Sequence, residues 1–307
     1  MFHDYDKFNY WKIEIEELPS RGRLYPGNAS IKIRPLSVLE VKFLATLLPQ
    51  TATQVCNELL EKCTILENFT YEDLLLPDRL YLIFWIRLNS FSMKTGYTVN
   101  IPHCSVCGNK IEHEIKLEEL KFKYLDNDFD PHVYLPDYDE TVKISIPKYK
   151  DSIIRTEDDL DELALYLDNG IGSFEDKRKY MEEMSAMDYI TFKEAVERNS
   201  CGVITDIVVS CPQCHKAYPV KIEINDNNLF SPVNIMEILE TITKICKYSN
   251  LQITNEWSWI EVEIENEIIK KMIKEENEYN KKEMDKAKSQ ASSMPHMSGI
   301  PSVPHFR

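Results

Sequence analysis

Two Cys-X-X-Cys pairs constrain this chain more than any other feature of its sequence. The first pair is Cys104 and Cys107, and 103 residues separate it from the second, Cys211 and Cys214. A two-residue spacer lets one tight turn present two sulfur atoms to one ion, and two such turns complete a tetrahedral four-cysteine site. The four cysteines therefore predict a single structural zinc ion that joins two distant segments of the chain.

The sequences around the two pairs match each other. Residues 97–101 and 207–209 are strand-like, and residues 111–117 and 218–224 alternate apolar with polar side chains. This pattern predicts two hairpins, which together form a zinc ribbon split by an insertion. Lengthening a ribbon loop from ~15–20 residues to about a hundred is about two and a half doublings, at ~0.6 kcal/mol each. A structural zinc ion contributes ~10–16 kcal/mol, so the metal outweighs the long loop.

Other interpretations of the cysteines have weaker support. Redox-active pairs prefer a helix N-terminus, whereas strand patterns follow both pairs here. Four thiolates leave no open position on the ion, which argues against a catalytic metal. Three nearby histidines could replace one ligand: His103, His113 and His215. The remaining cysteines have no partner spacing and are predicted to be buried as small apolar residues: Cys56, Cys63, Cys201 and Cys246.

The periodicity of the rest of the chain predicts an α+β protein, mainly helical, with short β-hairpins and the split four-cysteine ribbon. Segments 11–16 and 31–34 alternate apolar and charged side chains and predict strands on either side of a turn. Two helices are predicted at 51–63 and from Asp78. The second is apolar on nearly all sides and is expected at the centre of the core.

Capping residues predict where several helices begin. Ser37 followed three residues later by Glu40 forms a capping box. Three further helix starts are predicted where a serine or threonine is followed three residues later by an aspartate: Thr156 with Asp159, Ser173 with Asp176, and Ser185 with Asp188. These last three predict a run of helices within the segment that separates the cysteine pairs.

These patterns divide the chain into successive segments. Residues 1–117 hold the N-terminal β-turn, a helical core and the first zinc knuckle, and 118–200 form an acidic insertion of strands and helices. Residues 201–250 hold the second knuckle and a helix, and 251–288 form an amphipathic to charged C-terminal helix. Residues 289–307 are rich in Ser, Pro and Met and are predicted to be disordered.

Charge and composition limit the classes of function. The chain has 51 acidic and 36 basic residues, a formal net charge of −15, whereas binding of bulk nucleic acid needs a basic surface. The first residues lack the basic and apolar regions of a signal peptide, and no stretch approaches the ~20 apolar residues of a membrane span. No motif for an activated serine, a phosphate loop or a zinc protease occurs. We therefore expect a cytosolic protein with no membrane span, no nucleic-acid partner, no small-molecule substrate and no enzymatic activity.

Three side chains are candidates for contact with a partner protein. Tryptophan is enriched in the energetic centres of interfaces, and the chain has a Trp pair near the C-terminal helix. Trp257 fits the apolar stripe of that helix and is predicted to be buried. Trp259 falls off the stripe and is the candidate for contact. Arg23 and Tyr25, in the turn-rich segment Leu18–Pro26, are further candidates.

The order of these motifs resembles a known family. The turn Leu18–Pro26 is followed by Ile31–Leu36, a capped helix, the segment Asp78–Ser90 and the first cysteine pair. This set, clearest over about residues 17–120, resembles the T4-like phage baseplate proteins, the group that includes the baseplate hub assembly subunit. The resemblance implies a non-enzymatic protein that helps to build the central hub of a contractile tail, as a subunit or an assembly factor. It brings no catalytic residues.

The resemblance also implies partners and a location. The partners are other proteins of the baseplate and hub. The location is the host cytoplasm during assembly, and the tail baseplate of the virion if the chain stays in the finished particle. The alternative hypothesis is a zinc-ribbon module that binds nucleic acid or assists transcription, and the net charge of −15 argues against it. An enzyme with an unrecognised site has no motif in its favour.

Overall fold

Strands and helices are mixed along the chain in an α+β arrangement, as the sequence predicts. The computed structural model describes residues 9–91, 96–154, 156, 158–168, 170, 172–222, 224–230 and 234–292. The strands are β1 (Trp11–Ile13), β2 (Ser30–Ile33), β3 (Thr64–Glu67), β4 (Gly96–Ile101), β5 (Ile111–Lys116), β6 (Phe122–Lys123), β7 (His132–Leu135), β8 (Glu140–Ile144), β9 (Leu167–Asp168), β10 (Gly202–Val203), β11 (Asp206–Ser210) and β12 (Ala217–Lys221). The helices are α1 (Val38–Leu44), α2 (Ala52–Cys63), α3 (Leu76–Ser90), α4 (Asp159–Tyr166), α5 (Phe174–Glu183), α6 (Ala186–Asn199), α7 (Asp226–Leu229), α8 (Ile235–Ser249) and α9 (Trp259–Ser292).

The described strands form small antiparallel sheets. Strands β1, β2 and β3 make one three-stranded sheet, and β7, β8 and β9 make another. Strands β4 and β5 form one hairpin and β11 and β12 form a second, as predicted around the cysteine pairs. Strand β6 pairs with β10, although almost eighty residues lie between them in sequence. No layer of parallel sheet unites these elements in the described chain, so helices and the cysteine hairpins hold the segments together.

The main hydrophobic core surrounds α3. Leu82, Ile83 and Ile86 of this helix are almost completely buried, which confirms its predicted central place. The three-stranded sheet β1–β2–β3, helices α1 and α2, and the start of α9 supply the other buried side chains. The predicted capping box of α1 is confirmed, because the Ser37 N–H donates to Oε2 of Glu40 at 2.6 Å.

Buried polar groups fix the N-terminal turn onto this core. The carboxylate of Asp78 accepts hydrogen bonds from the Ser20 N–H at 2.9 Å and from the Tyr25 hydroxyl at 2.6 Å. The Tyr25 oxygen in turn accepts the N–H of Leu75 at 2.9 Å. Burial raises the pKa of Asp78, against the bonds from Ser20 and Tyr25, which lower it. The segment Leu18–Pro26 is therefore held to the start of α3 by side chains that are satisfied inside the protein.

A second hydrophobic cluster lies within the segment that separates the cysteine pairs. Strands β7, β8 and β9 pack against α4, α5 and α6. The predicted caps Ser173 and Ser185 are confirmed, since each side chain accepts the N–H three residues on. The predicted start at Thr156 is wrong. Helix α4 begins at Asp159, and the carboxylate of Asp158 accepts the Asp161 N–H at 2.9 Å, because aspartate directly before the first turn caps it as well as a hydroxyl does.

The two ends of that segment meet where β6 pairs with β10. Lys123 lies opposite Gly202, and Phe122 lies opposite Val203. The pairing is extended by the Ile204 N–H, which donates to the carbonyl of Lys121 at 2.8 Å. This pair joins the two ends of the segment. The middle of the segment also contacts the main core, because Ile146 is buried there and the N–H of Leu76 donates to the carbonyl of Pro147 at 2.7 Å.

Helix α9 packs on the main core only near its start. Trp259, Val262 and Ile269 are buried, whereas the described side chains beyond Ile273 are exposed. Helix α9 continues through residues 289–292, where the sequence predicts disorder, so that prediction is wrong for these four residues. Residues 293–307, the rest of the segment predicted to be disordered, lie outside the described residues. Of the helices that the structure describes, none combines the length and the hydropathy needed to cross a membrane.

Candidate metal centre

The first cysteine turn lies between β4 and β5 and is closed by its own backbone. The N–H of Cys104 donates to the carbonyl of Asn109 at 2.8 Å. The carbonyl of Cys104 accepts the N–H of Gly108, also at 2.8 Å. Gly108 has a φ of +73°, a conformation that glycine adopts without steric cost. The backbone therefore folds back around the first cysteine and presents both thiols on one side of the turn.

The second turn, between β11 and β12, repeats this geometry. The N–H of Cys211 donates to the carbonyl of Lys216, and its carbonyl accepts the N–H of His215, both at 2.9 Å. His215 has a φ of +59° and occupies the position that Gly108 holds in the first turn. A left-handed histidine is strained relative to glycine, so the shared geometry is kept here at a conformational cost.

The two turns bring all four sulfur atoms together. The Sγ atoms lie within 4.8 Å of one another. Two of these distances join Cys104 to Cys214, at 3.4 Å, and Cys107 to Cys211, at 3.6 Å. A disulfide has an S–S distance of ~2.05 Å, so these thiols are not bonded to each other. Ligands at ~2.3 Å from a tetrahedral zinc ion stand about 3.8 Å apart, and the observed spacing brackets this value.

A small hydrophobic cluster supports the four thiols. Cys104 and Cys211, the first cysteine of each turn, are buried, Cys214 is partly buried and Cys107 is exposed. The apolar side chains that pack with them come from both hairpins and the residues beside them: Val99, Ile111, Ile115, Val209 and Ile222. Each hairpin therefore places its first cysteine on the buried side of the cluster and its second cysteine on the side nearer to solvent.

Hydrogen bonds divide the four thiols by acidity. The hydroxyl of Tyr218, with backbone N–H groups of the first turn, lowers the pKa of Cys104 to about 6. The backbone at Asn109 acts in the same direction on Cys107, but desolvation and the neighbouring sulfur atoms together outweigh it and raise the pKa of Cys107 to about 12. The same division occurs in the second turn, where the pKa of Cys211 is lowered and that of Cys214 is raised. The first thiol of each turn therefore favours its ionised form more than the second does, and a cation bound between the sulfur atoms would favour the ionised form of all four.

The structure also locates the other predicted cysteines and the histidines. In the part of the chain that the structure describes, the group of potential metal ligands contains the four cysteines and no histidine. Cys56, Cys63 and Cys201 are buried, as predicted. Cys246 is only partly buried on α8, so the prediction is wrong for this residue.

Trp259 does not lie where the sequence placed it. Its side chain is 6% exposed, and its Nε1–H donates to Glu263 Oε1 at 2.9 Å. Trp257 is less buried than Trp259, which reverses the expected order. The reason is that α9 begins at Trp259, so Trp257 lies in the preceding loop and the helical spacing does not apply to it. The expectation that Trp259 is an exposed anchor for a partner is therefore wrong.

The two other candidates for partner contact differ from each other. Tyr25 is 8% exposed and its hydroxyl is held by Asp78, so its polar end is already satisfied within the chain. Arg23 is exposed, and its guanidinium donates to the carbonyl of Asp126 at 2.6 Å and to the side chain of Asn127. Contact of Arg23 with a partner stays a prediction.

One residue beside the four cysteines was not predicted from the sequence. Tyr218 lies on β12, and its hydroxyl donates to Cys104 Sγ at 3.1 Å. The signal that could have pointed to it is an aromatic residue four positions after the last cysteine, at the start of the strand that leaves the turn.

The architecture defines an α+β protein in which a four-cysteine centre joins two hairpins across a long insertion. The model of the family described as T4 bacteriophage base plate protein matches residues 11–199, more than half of the 307-residue chain, and the chain belongs to this family. The resemblance seen in the sequence is thereby confirmed. No curated protein matches the chain, and no solved structure matches it. The family match ends before Cys211, so the evidence for the metal centre comes from this chain's own residues.

Proposed function

We propose that this chain is a non-enzymatic structural or assembly protein of the baseplate hub of a contractile phage tail, and that its four cysteines hold one structural zinc ion. The observation that carries the baseplate role is the family match over residues 11–199. The observation that carries the zinc ion is the cluster of four sulfur atoms within 4.8 Å.

The chemistry of the matched region supports a structural role. Asp78, the most buried carboxylate of the main core, has its oxygens occupied by Ser20 and Tyr25. Arg34 and Glu40 form a bidentate buried ion pair. These groups, which a catalytic site would leave facing a cleft, are used here to fix a turn and a helix. The protein's part in the baseplate is then to present surfaces to other baseplate and hub proteins.

The chemistry of the centre supports zinc over other ions. Four thiolates in a tetrahedral arrangement favour zinc or an iron–sulfur cluster, and hard ions such as Mg²⁺ and Ca²⁺ require oxygen ligands. Matched tight turns with N–H groups folded toward the sulfur atoms are typical of structural zinc sites, and four protein ligands close the coordination shell. The ion supplies four metal–sulfur bonds between the hairpins. It thereby fixes how the insertion 118–200 leaves the core and returns.

Elemental analysis of the purified chain tests the zinc site. We expect one zinc per chain in the native protein and none in the double variant Cys211→Ser, Cys214→Ser. The matched control is Cys246→Ser, a partly buried cysteine outside the centre, which should keep its zinc. Zinc content that is unchanged in the double variant would exclude this site.

Infection with a phage that lacks this gene tests the baseplate role. We expect incomplete or absent baseplates by electron microscopy and rescue by the gene supplied in trans. Mass spectrometry of purified particles then separates the two forms of the proposal, because a subunit persists in the particle and an assembly factor does not. Normal tails without the gene would contradict the proposal.

A further inference from the structure

Tyr218 links the two cysteine turns through hydrogen bonds rather than through a metal. We propose that Tyr218 is a positioning residue of the metal centre, which holds Cys104 in place from the opposite hairpin and slows the loss of the ion. This inference rests on the proposed zinc site. It assigns to the centre a residue that binds no metal itself.

The geometry places the phenol of Tyr218 across the gap between the hairpins. Tyr218 pairs with Val209 in the register of β11 and β12, so its backbone belongs to the second hairpin. Its hydroxyl lies 3.1 Å from the Sγ atom of Cys104 in the first turn. The next residue of that turn, Ser105, donates its backbone N–H to the Tyr218 oxygen at 2.8 Å. Two consecutive residues of the first turn are thus held by one side chain of the second hairpin.

The direction of these bonds follows from the donors available. A phenol has one proton to donate, and it accepts through its oxygen. The N–H of Ser105 can only donate, so it uses the oxygen. The Ser105 hydroxyl also lies 3.1 Å from this oxygen, and when it donates as well, the proton of Tyr218 is directed to the sulfur of Cys104. A hydrogen bond to an ionised acceptor is roughly twice as strong as one between neutral groups. The phenol therefore fixes the direction in which the sulfur of Cys104 points.

The two turns differ at this position, although their backbones match. Aligned on their cysteines, Tyr218 corresponds to Ile111, which also lies four residues after the second cysteine of its pair. Ile111 is 1% exposed and has no group that could donate to Cys211. Packing of a side chain at this position is therefore common to both turns, whereas the bond to sulfur belongs to Tyr218. The phenylalanine variant separates these two contributions.

The test compares the rate of zinc release from Tyr218→Phe with that from the native chain. Each protein is loaded with zinc and mixed with an excess of a chromophoric chelator, and the first-order release is followed by absorbance. Loss of a hydrogen-bonding partner of a metal ligand costs about 10- to 100-fold in metal affinity, and we expect release to accelerate by about that factor. The matched control is Tyr134→Phe. Tyr134 lies on β7, outside the two cysteine hairpins, and its hydroxyl donates to Asp139 Oδ1 at 2.7 Å. The rate of zinc release from this variant should equal that of the native chain.

The outcomes separate this inference from the proposal on which it depends. If the native chain carries no zinc, the proposed metal site fails first. If the native chain carries one zinc and Tyr218→Phe releases it at the native rate, the metal site stands and the role of Tyr218 is overturned. The rate is measured only on molecules that carry zinc, so a fraction of the variant that fails to fold does not enter the comparison.

Discussion

The main core and the proposed metal centre both join distant segments of the chain, but they do so by different means. The main core packs side chains from the first strand to the last helix around α3, and it holds the buried carboxylate of Asp78 in hydrogen bonds from Ser20 and Tyr25. The cluster at the metal centre has a handful of buried apolar residues on two short hairpins. An isolated two-stranded hairpin is marginally stable at best in water, so the second region needs a cross-link that the first does not.

The two regions are connected by contacts that do not involve the cysteines. Strands β6 and β10 close the base of the insertion. After the second hairpin, the carboxylate of Asp226 on α7 pairs with the guanidinium of Arg79 on α3, with both nitrogen–oxygen distances near 3 Å. Because these anchors lie between the hairpins and the main core, loss of the metal should disturb the hairpins and leave the core folded.

The largest expected effect is the loss of the metal centre itself. In the double variant Cys211→Ser, Cys214→Ser we expect the amides of β4, β5, β11 and β12 to lose their protection from hydrogen exchange, because the cluster cannot hold the hairpins without the ion. The amides of α3 should keep theirs. Hydrogen exchange followed by mass spectrometry measures both. If α3 loses protection as well, the metal stabilises the whole molecule and the contrast between the regions is wrong.

The same two regions should respond to acid at different pH values. The ordinary pKa of a thiol is 9.0, so protons compete with the metal for the four sulfur atoms throughout the acidic range. In the main core, burial acts to raise the pKa of Glu40, but Arg34 outweighs burial and holds it below its ordinary value of 4.5. A carboxylate with a lowered pKa contributes stability that is present above the ordinary value and is lost as pH falls through the lowered one.

On acidification we therefore expect zinc release before loss of the helical signal. Free zinc and circular dichroism, measured on the same samples, give the two midpoints. In Glu40→Gln the unfolding of the core should depend less on acid, whereas zinc release should keep its midpoint. Coincident midpoints in the native chain would show that one cooperative unit contains both regions.

The next largest effect is expected from breaking the buried ion pair between Arg79 and Asp226. Arg79 is 3% exposed, and removal of one partner leaves the other charge buried without its partner, which costs about 3–5 kcal/mol. We expect Arg79→Met to lower the free energy of unfolding by that amount in a denaturant titration. The control is Lys62→Met. The Nζ atom of Lys62 lies 3.7 Å from Oε2 of Glu58, whose side chain is 40% exposed, and we expect loss of this exposed pair to cost at most about 0.5 kcal/mol. Equal effects would mean that Asp226 does not anchor the second hairpin to the core.

A smaller effect is expected at the turn that the main core holds in place. Gly22 has a φ of +68°, and a Cβ atom added there would lie 1.8 Å from Cγ2 of Ile15. We expect Gly22→Ala to cost about 1–3 kcal/mol in the free energy of unfolding. Gly27 is the matched control, because it lies in the same loop and a Cβ atom there meets no heavy atom within 4 Å. Thermal unfolding of the two alanine variants measures the difference, and similar midpoints would show that the turn relaxes without strain.

The sequence predicts local features of this molecule well. The spacing of two cysteines, or of Ser37 and Glu40, concerns neighbours within one turn of chain, where geometry is set by residues that are close in sequence. The two cysteine turns could be matched to each other for the same reason. Thr156 shows the limit of such spacing, because Asp158 offered an equally good cap two residues further on.

The features that the sequence did not predict depend on contacts between distant segments. The pairing of Arg79 with Asp226 and the bond from Tyr218 to Cys104 each join residues more than a hundred positions apart. Trp259 was placed by a helical period that includes Trp257, but the helix begins two residues later than that period requires. A shift of two residues in the start of a helix changes which side chain is buried, and periodicity alone does not determine that start.

The smallest effect is expected from substitutions at one equivalent position of the two cysteine turns. Gly108 and His215 occupy equivalent positions with φ of +73° and +59°. A left-handed conformation costs a residue with a side chain roughly 1–2 kcal/mol and costs glycine little, so we expect His215→Gly to stabilise the second turn by about 0.5–1 kcal/mol. Gly108→Ala should destabilise the first turn by about 1 kcal/mol, although its Cβ atom meets nothing within 4 Å. The exchange of amides in β11 and β12, and in β4 and β5, measures each turn separately. If His215→Gly instead weakens the second turn and its hold on zinc, the imidazole contributes to the centre, and the four-cysteine ligand set must be revised to include it.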